Sequence, residues 1–137
     1  SVKEAEEGDV LEKGHVYVAP GGMHMEVVKA HGNTHRIKLD DLPPIGGLRP
    51  CANIMFDSLA KTDYDEIICI VLTGMGADGT NGILSLNRTK PIHVIAQDAQ
   101  TCVVYGMPRA IAEAGMVDEV VPLTAVAKTI IKNVGVK

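Results

Sequence analysis

Seven residues in the middle of the chain, Thr73 Gly74 Met75 Gly76 Ala77 Asp78 Gly79, combine glycines with a single carboxylate. They follow a continuous apolar run, Ile67 to Leu72, and precede a helical pattern carrying Ile83, Leu84 and Leu86. That setting supports two chemistries. Gly74, Gly76 and Gly79 have G-x-G-x-x-G spacing after a predicted strand and at the opening of a predicted helix. Asp98 stands about 20 residues further on, where the ribose-binding acid of a dinucleotide site belongs. In the other chemistry Asp78 is an orienting carboxylate. It lies just past the carboxyl end of a strand, where parallel sheets present their reacting groups, and it can accept the Nδ1–H of a histidine that activates a serine.

Charge bears on the choice. The free N–H groups at a helix start attract a pyrophosphate, and a carboxylate directly before the third glycine repels one. Asp78 therefore argues against the nucleotide reading and for the hydrolytic one. Its bland role is a helix N-cap, with its oxygen receiving N–H groups of Thr80 or Asn81. A cap and an orienting acid can be the same residue.

The elements around this turn read as two patterns. Gly14 to Leu39 is short, alternating and turn-punctuated, with runs at 15–19, 23–28 and 36–39, which predicts an antiparallel hairpin or meander. Asp40 to Pro50 is a Pro- and Gly-rich connector, and Ile54, Met55, Ser58 and Leu59 then fall at helical spacing. From residue 67 onward, strands alternate with helices. Ile67 to Leu72 reads as a strand covered on both faces, followed by a helix, a strand at 92–96 and a mostly helical stretch at 99–114 interrupted by Gly106 and Pro108. A short strand at 119–121 precedes an amphipathic helix with Leu123, Val126, Ala127, Ile130, Ile131 and Val134 on one stripe. Strands separated by helices imply βαβ crossovers and a parallel sheet. The expected class is α/β, three-layer and doubly wound, with a mainly parallel sheet and a β-hairpin.

Composition narrows the partners. The 137 residues fit one domain, and 46% apolar with 22% charged residues is ordinary for a globular protein. No apolar run reaches the roughly 18 residues of a membrane span. A net charge of -4, no Lys/Arg cluster, three Tyr, one Phe and no Trp argue against nucleic acid as a partner. Cys51, Cys69 and Cys102 are widely spaced with no C-x-x-C pair, so a reducing, cytoplasmic setting is expected, with Cys69 as a small buried hydrophobe. The acidic N-terminus does not resemble a signal peptide, and the absence of an initiator Met suggests a piece of a longer protein.

Several collinear blocks carry a resemblance. Ile70 Val71 Leu72 Thr73 Gly74 Met75 Gly76 Ala77 Asp78 Gly79 is followed by Ile95 Ala96 Gln97 Asp98 Ala99, by Val103 Val104 Tyr105 Gly106 Met107 Pro108 Arg109, and by Val117 Asp118 Glu119 Val120 Val121 Pro122. Upstream stand Gly14 His15 Val16 Tyr17 Val18 Ala19 Pro20 Gly21, Arg49 Pro50, and Met55 Phe56 Asp57 Ser58. Together they resemble the catalytic domain of the chemotaxis protein-glutamate methylesterases over nearly the whole chain. The resemblance implies a serine hydrolase of bacterial chemotaxis signal transduction. Such enzymes demethylate glutamyl methyl esters on chemoreceptor cytoplasmic helices, and some deamidate glutamines. They use serine, histidine and aspartate in that chain order, with no metal or organic cofactor. By resemblance Asp78 is the triad aspartate, and Met75 lines the site and lends its backbone N–H to the oxyanion hole.

The chain departs from that family in what it lacks. The glycine-flanked serine and the His-Met-Pro segment precede the hairpin, and neither is found in residues 1–137. Ser1, Ser58 and Ser85 do not stand in the nucleophile context, nor do His15, His24, His31, His35 and His93 in the histidine context. Residues 1–137 are thus expected to be the C-terminal part of one catalytic domain, truncated on its N-terminal side and without a receiver domain. Alone it is expected to be inactive, and its open sheet edge is expected to favour self-association. The alternatives kept are a Rossmann-like dinucleotide-binding domain using Gly74, Gly76, Gly79 and Asp98, and a non-catalytic module that binds a receptor or partner domain.

The remaining polar residues have plain readings. His31 and His35 have H-x-x-x-H spacing, but Gly32 and Asn33 between them are turn formers, so His24, His31 and His35 are expected to be surface loop histidines rather than metal ligands. Ser58 is expected to be a packing residue, and Arg109 a surface charge.

Overall fold

The chain divides into two compact units, Ser1–Tyr64 and Asp65–Lys137. The computed structural model describes residues 1–135.

The first unit holds four strands and a helix. β1 (Val2–Glu4) and β2 (Val16–Val18) pair in parallel, with Val2 opposite Val16. β3 (His24–Lys29) and β4 (His35–Asp40) form an antiparallel hairpin, with Val27 opposite Ile37. Alternation along β4 explains its seating: His35 and Ile37 are buried while Arg36 and Lys38 are exposed. α1 (Ala52–Leu59) packs on β3. Ala5, Val27 and Ile37 form a small core, with Leu11, Tyr17, Met25, Leu39 and Leu59 packed against it.

The antiparallel hairpin expected between residues 14 and 39 is β3 and β4 alone. The run at 15–19 instead pairs in parallel with β1, held by Ala5 N–H to Val18 O at 2.8 Å and Val16 N–H to Ser1 O at 2.8 Å. β1 gives no signal because it is three residues long, mostly exposed and set in an acidic stretch.

The second unit is the predicted alternation. β5 (Ile67–Val71), α2 (Thr80–Asn87), β6 (Ile92–Gln97), α3 (Gly106–Glu113), β7 (Glu119–Val121) and α4 (Val126–Val134) follow in order. The sheet is parallel, in the order β5-β6-β7, with Ile67 opposite Ile92 and Ile95 opposite Glu119. Its core is Cys69, Val71, Ile83, Leu86, Val94, Ile95, Ala96 and Ile111. The α/β class, the parallel sheet and the hairpin are as expected.

Two details differ. Residues 99–105 are turns rather than helix, and α3 starts at Gly106. Gly106 and Pro108 therefore mark the helix start instead of interrupting it, since a proline in the first turn removes an N–H that has no partner inside the helix. In α4 the buried positions are Val126 and Thr129, whereas Ile131 and Val134 are exposed. Thr129 tolerates burial because its hydroxyl donates to Ala125 O at 2.7 Å.

Candidate active site

The chemistry predicted for Thr73 to Gly79 depends on how that turn is held, and its glycines serve two different ends. Gly76 and Gly79 have φ of +87° and +97°, in the left-handed region that side chains rarely adopt. Gly74 is packed against the Met107 side chain: a Cβ there would lie 2.6 Å from its sulfur, which would have to swing aside. The turn also meets the start of α3 backbone to backbone: a Cβ on Gly106 would lie 2.9 Å from both Gly74 O and Gly76 N.

Hydrogen bonds complete the attachment. Gly74 N–H donates to Val104 O at 2.9 Å, and Met107 N–H donates to Gly74 O at 2.9 Å. The Thr73 hydroxyl bonds both Val104 O and Val104 N at 3.0 Å. Thr73 N–H donates to the Gln97 side-chain oxygen at 2.8 Å. The turn is thus fixed from its first residue by the end of β6 and by the segment leading into α3.

Asp78 is half-buried on this turn, directly before Gly79, which occupies the N-cap position of α2. The helix begins with Ile83 N–H on Gly79 O at 2.9 Å. Met75 lies three residues earlier, with its side chain 85% exposed. Asp78 and Met75 therefore share one rigid loop at the carboxyl end of β5, the end at which parallel sheets display reacting groups.

The dinucleotide alternative fares differently. Asp98 accepts Thr101 N–H at 2.9 Å and the Thr101 hydroxyl at 2.6 Å through the same carboxylate oxygen, an arrangement that closes a turn. The backbone of Gly106 also lies against the glycine turn, where a pyrophosphate would have to approach. Gly74, Gly76, Gly79 and Asp98 thus have structural roles that account for them without a nucleotide.

The histidines correct the sequence reading in part. His31 is exposed as expected, but His24 and His35 are 1% and 4% exposed. His24 Nδ1 accepts Cys51 N–H at 3.3 Å, so its Nε2 carries the proton and donates to Pro43 O at 3.0 Å. His35 Nε2 accepts Asp63 N–H at 3.1 Å, and its ring stacks on Tyr64 with centroids 4.5 Å apart. Both rings are buried because each satisfies a backbone amide. Among the described residues, no three His, Cys, Asp or Glu side chains are grouped so as to hold a metal ion.

The other polar residues behave as read. The Ser58 hydroxyl donates to Met55 O at 2.6 Å and accepts Val27 N–H at 2.9 Å, which fastens α1 to β3. Burial pushes the Cys69 thiol up to about 11, leaving it an apolar filler. Arg109 pairs with Glu113 at 2.9 Å on the exposed face of α3.

Three features escaped the sequence reading. Gln97 and Gly106 are visible only through their tertiary partners, although a glutamine closing an apolar strand is a signal in itself. The third lies at the start of β7. Glu119 receives Lys132 Nζ at 2.7 Å, His93 Nε2 at 2.6 Å and Asn133 Nδ2 at 2.8 Å. Lys132 first, then His93 and Asn133, hold its carboxyl down at about 2.

With this geometry in place, the family follows from comparison. The family model for CheB methylesterase matches residues 1–130. The chain belongs to the CheB methylesterase family. A protein-glutamate methylesterase/protein-glutamine glutaminase of Geobacillus kaustophilus is 43% identical over 98% of this chain and 38% of its own length. One from Pyrococcus horikoshii is 47% identical over 97% of this chain and 36% of its own length. The chain therefore spans less than two-fifths of the curated relatives it matches. The crystal structure of the Thermotoga maritima CheB methylesterase catalytic domain superposes with a TM-score of 0.87 at 37% identity, over 95% of this chain and 68% of that one. These family members are hydrolases. No helix among the described residues is long and apolar enough to cross a membrane.

Proposed function

We propose that residues 1–137 are the C-terminal part of one methylesterase catalytic domain, and that they supply Asp78 to a serine, histidine and aspartate site. The observation that carries this reading is the position of Asp78, a half-buried carboxylate on a turn fixed by its glycines at the carboxyl end of a parallel strand. In the mechanism, a serine attacks the carbonyl of a glutamyl methyl ester while a histidine takes its proton. Asp78 accepts the Nδ1–H of that histidine, fixing its tautomer and stabilising the imidazolium. The backbone N–H of Met75 faces the oxyanion that forms, a contribution of about 3 kcal/mol in other hydrolases. Methanol leaves and water then cleaves the acyl-enzyme. In this reading the serine and the histidine are supplied from outside residues 1–137.

The substrates in this reading are methylated helices of chemoreceptors in the cytoplasm, with glutamine deamidation as a second reaction at the same site and a receiver domain as an attached regulator. The name shared by the curated relatives supports both reactions. The test is Asp78→Asn in the full-length protein, assayed by methanol release from methylated receptor. Turnover falls by on the order of 10³ to 10⁴ with the unfolding midpoint preserved. Turnover within tenfold of the wild type would remove Asp78 from the triad.

A further inference from the structure

Gln97, the last residue of β6, is 1% exposed, and its side-chain amide is engaged at both ends. Its oxygen accepts Thr73 N–H at 2.8 Å, and its nitrogen donates to Thr101 O at 2.8 Å and to the Thr101 hydroxyl at 3.2 Å. That hydroxyl has committed its proton to Asp98 at 2.6 Å and also accepts Leu123 N–H at 3.0 Å. With its one donor used, it can only accept from Gln97, so the amide is locked with its oxygen toward Thr73. The glutamine therefore joins the exits of three strands: Thr73 after β5, its own position at the end of β6, and Leu123 after β7. Thr73 is the residue from which the glycine turn departs.

We propose that Gln97 is a positioning residue for the turn that carries Met75 and Asp78. It sets where the turn begins, while Gly106 and Met107 fix its middle against α3, and Asp98 acts through Thr101 to orient it. The proposal rests on the esterase reading above. A buried amide satisfied at every polar atom fixes direction as well as distance, which an apolar residue of the same length would not do. Gln97→Met keeps the length and volume of the side chain and removes its bonds to Thr73 and Thr101.

The experiment uses the full-length protein and methylated receptor. Gln97→Met is measured alone and on an Asp78→Asn background, with Thr101→Val as a second variant that removes the orienting hydroxyl at similar volume. Gln97→Met is expected to lower kcat at least tenfold with KM within twofold, and to lower it less than threefold where Asp78 is already lost. Thr101→Val is expected to lower kcat in the same direction by a smaller factor, and it decides the matter if Gln97→Met does not fold. An unchanged kcat in whichever variant folds, or equal falls on both backgrounds, would overturn the positioning role. Full turnover by Asp78→Asn alone would instead overturn the esterase reading on which the proposal rests.

Discussion

Gly106→Ala isolates the backbone-to-backbone seat of the turn. The φ of Gly106 lies outside the left-handed region, so alanine can adopt this conformation. By helix propensity the change is mildly stabilising, by less than the roughly 0.5–1 kcal/mol of a mid-helix position because Gly106 is the first residue of α3. Space opposes it. The new Cβ would lie 2.9 Å from Gly74 O and Gly76 N, short of the 3.4 Å at which ordinary contact begins. All the atoms it meets are main chain, so no side chain can swing away. Moving the turn back by half an ångström would stretch Met107 N–H to Gly74 O and Gly74 N–H to Val104 O, both now 2.9 Å. Two weakened bonds at about 1 kcal/mol each agree with the 1–3 kcal/mol typical of overpacking. Net destabilisation of about 1 kcal/mol or more is expected. The control is Gly21→Ala, whose Cβ would meet nothing within 4 Å and whose φ is also outside the left-handed region. Urea midpoints of the two variants in the complete protein are compared, together with turnover. Because displacement of the turn carries Met75 and Asp78 with it, kcat should fall at least tenfold in Gly106→Ala. Gly106→Ala as stable as the control, with kcat unchanged, would refute the close approach.

Two further outcomes are expected. Glu119, held down to about 2 by Lys132, His93 and Asn133, is ionised in the folded state where the unfolded chain has begun to take up a proton. Its stabilisation is therefore fully present above the ordinary value of 4.5 and is lost as pH falls from there toward 2. Glu119→Gln should be less stable than the wild type at pH 7, with a gap that narrows across that window in denaturant titrations; a gap independent of pH would count against the ion-pair assignment. Ser58→Ala should cost about 1–3 kcal/mol by leaving Val27 N–H without this acceptor, with kcat unchanged, and loss of turnover in a folded variant would make Ser58 chemical after all.

The half of the chain around Asp78 was legible because its signals are local. An apolar run such as Ile67 to Leu72, a glycine cluster and a helix start can be read within a few residues. The place of Asp78, just past the carboxyl end of β5 and before α2, was legible from the apolar run and the helical pattern on either side of it. What could not be read depends on partners distant in sequence. His24 and His35 are buried because Cys51 N–H and Asp63 N–H reach them from 27 and 28 residues away. Gln97 meets Thr73 across 24 residues. β1 pairs with β2 through main-chain bonds that leave no trace in hydropathy. In α4 the apolar stripe misled, because Thr129 satisfies its own hydroxyl and takes a buried place that Ile131 and Val134 do not.

The Met75 side chain stands 85% exposed on a turn held through its main chain, its glycines and the Thr73 hydroxyl. In the proposed mechanism the group offered there is an N–H that every amino acid except proline possesses. On that proposal position 75 separates geometry from identity: what the turn does to an oxyanion is inherited by any residue but proline, while the side chain shown to an approaching substrate can vary freely. If the proposal holds, a lineage could retune which substrates it meets at this one residue without rebuilding the machinery beneath it.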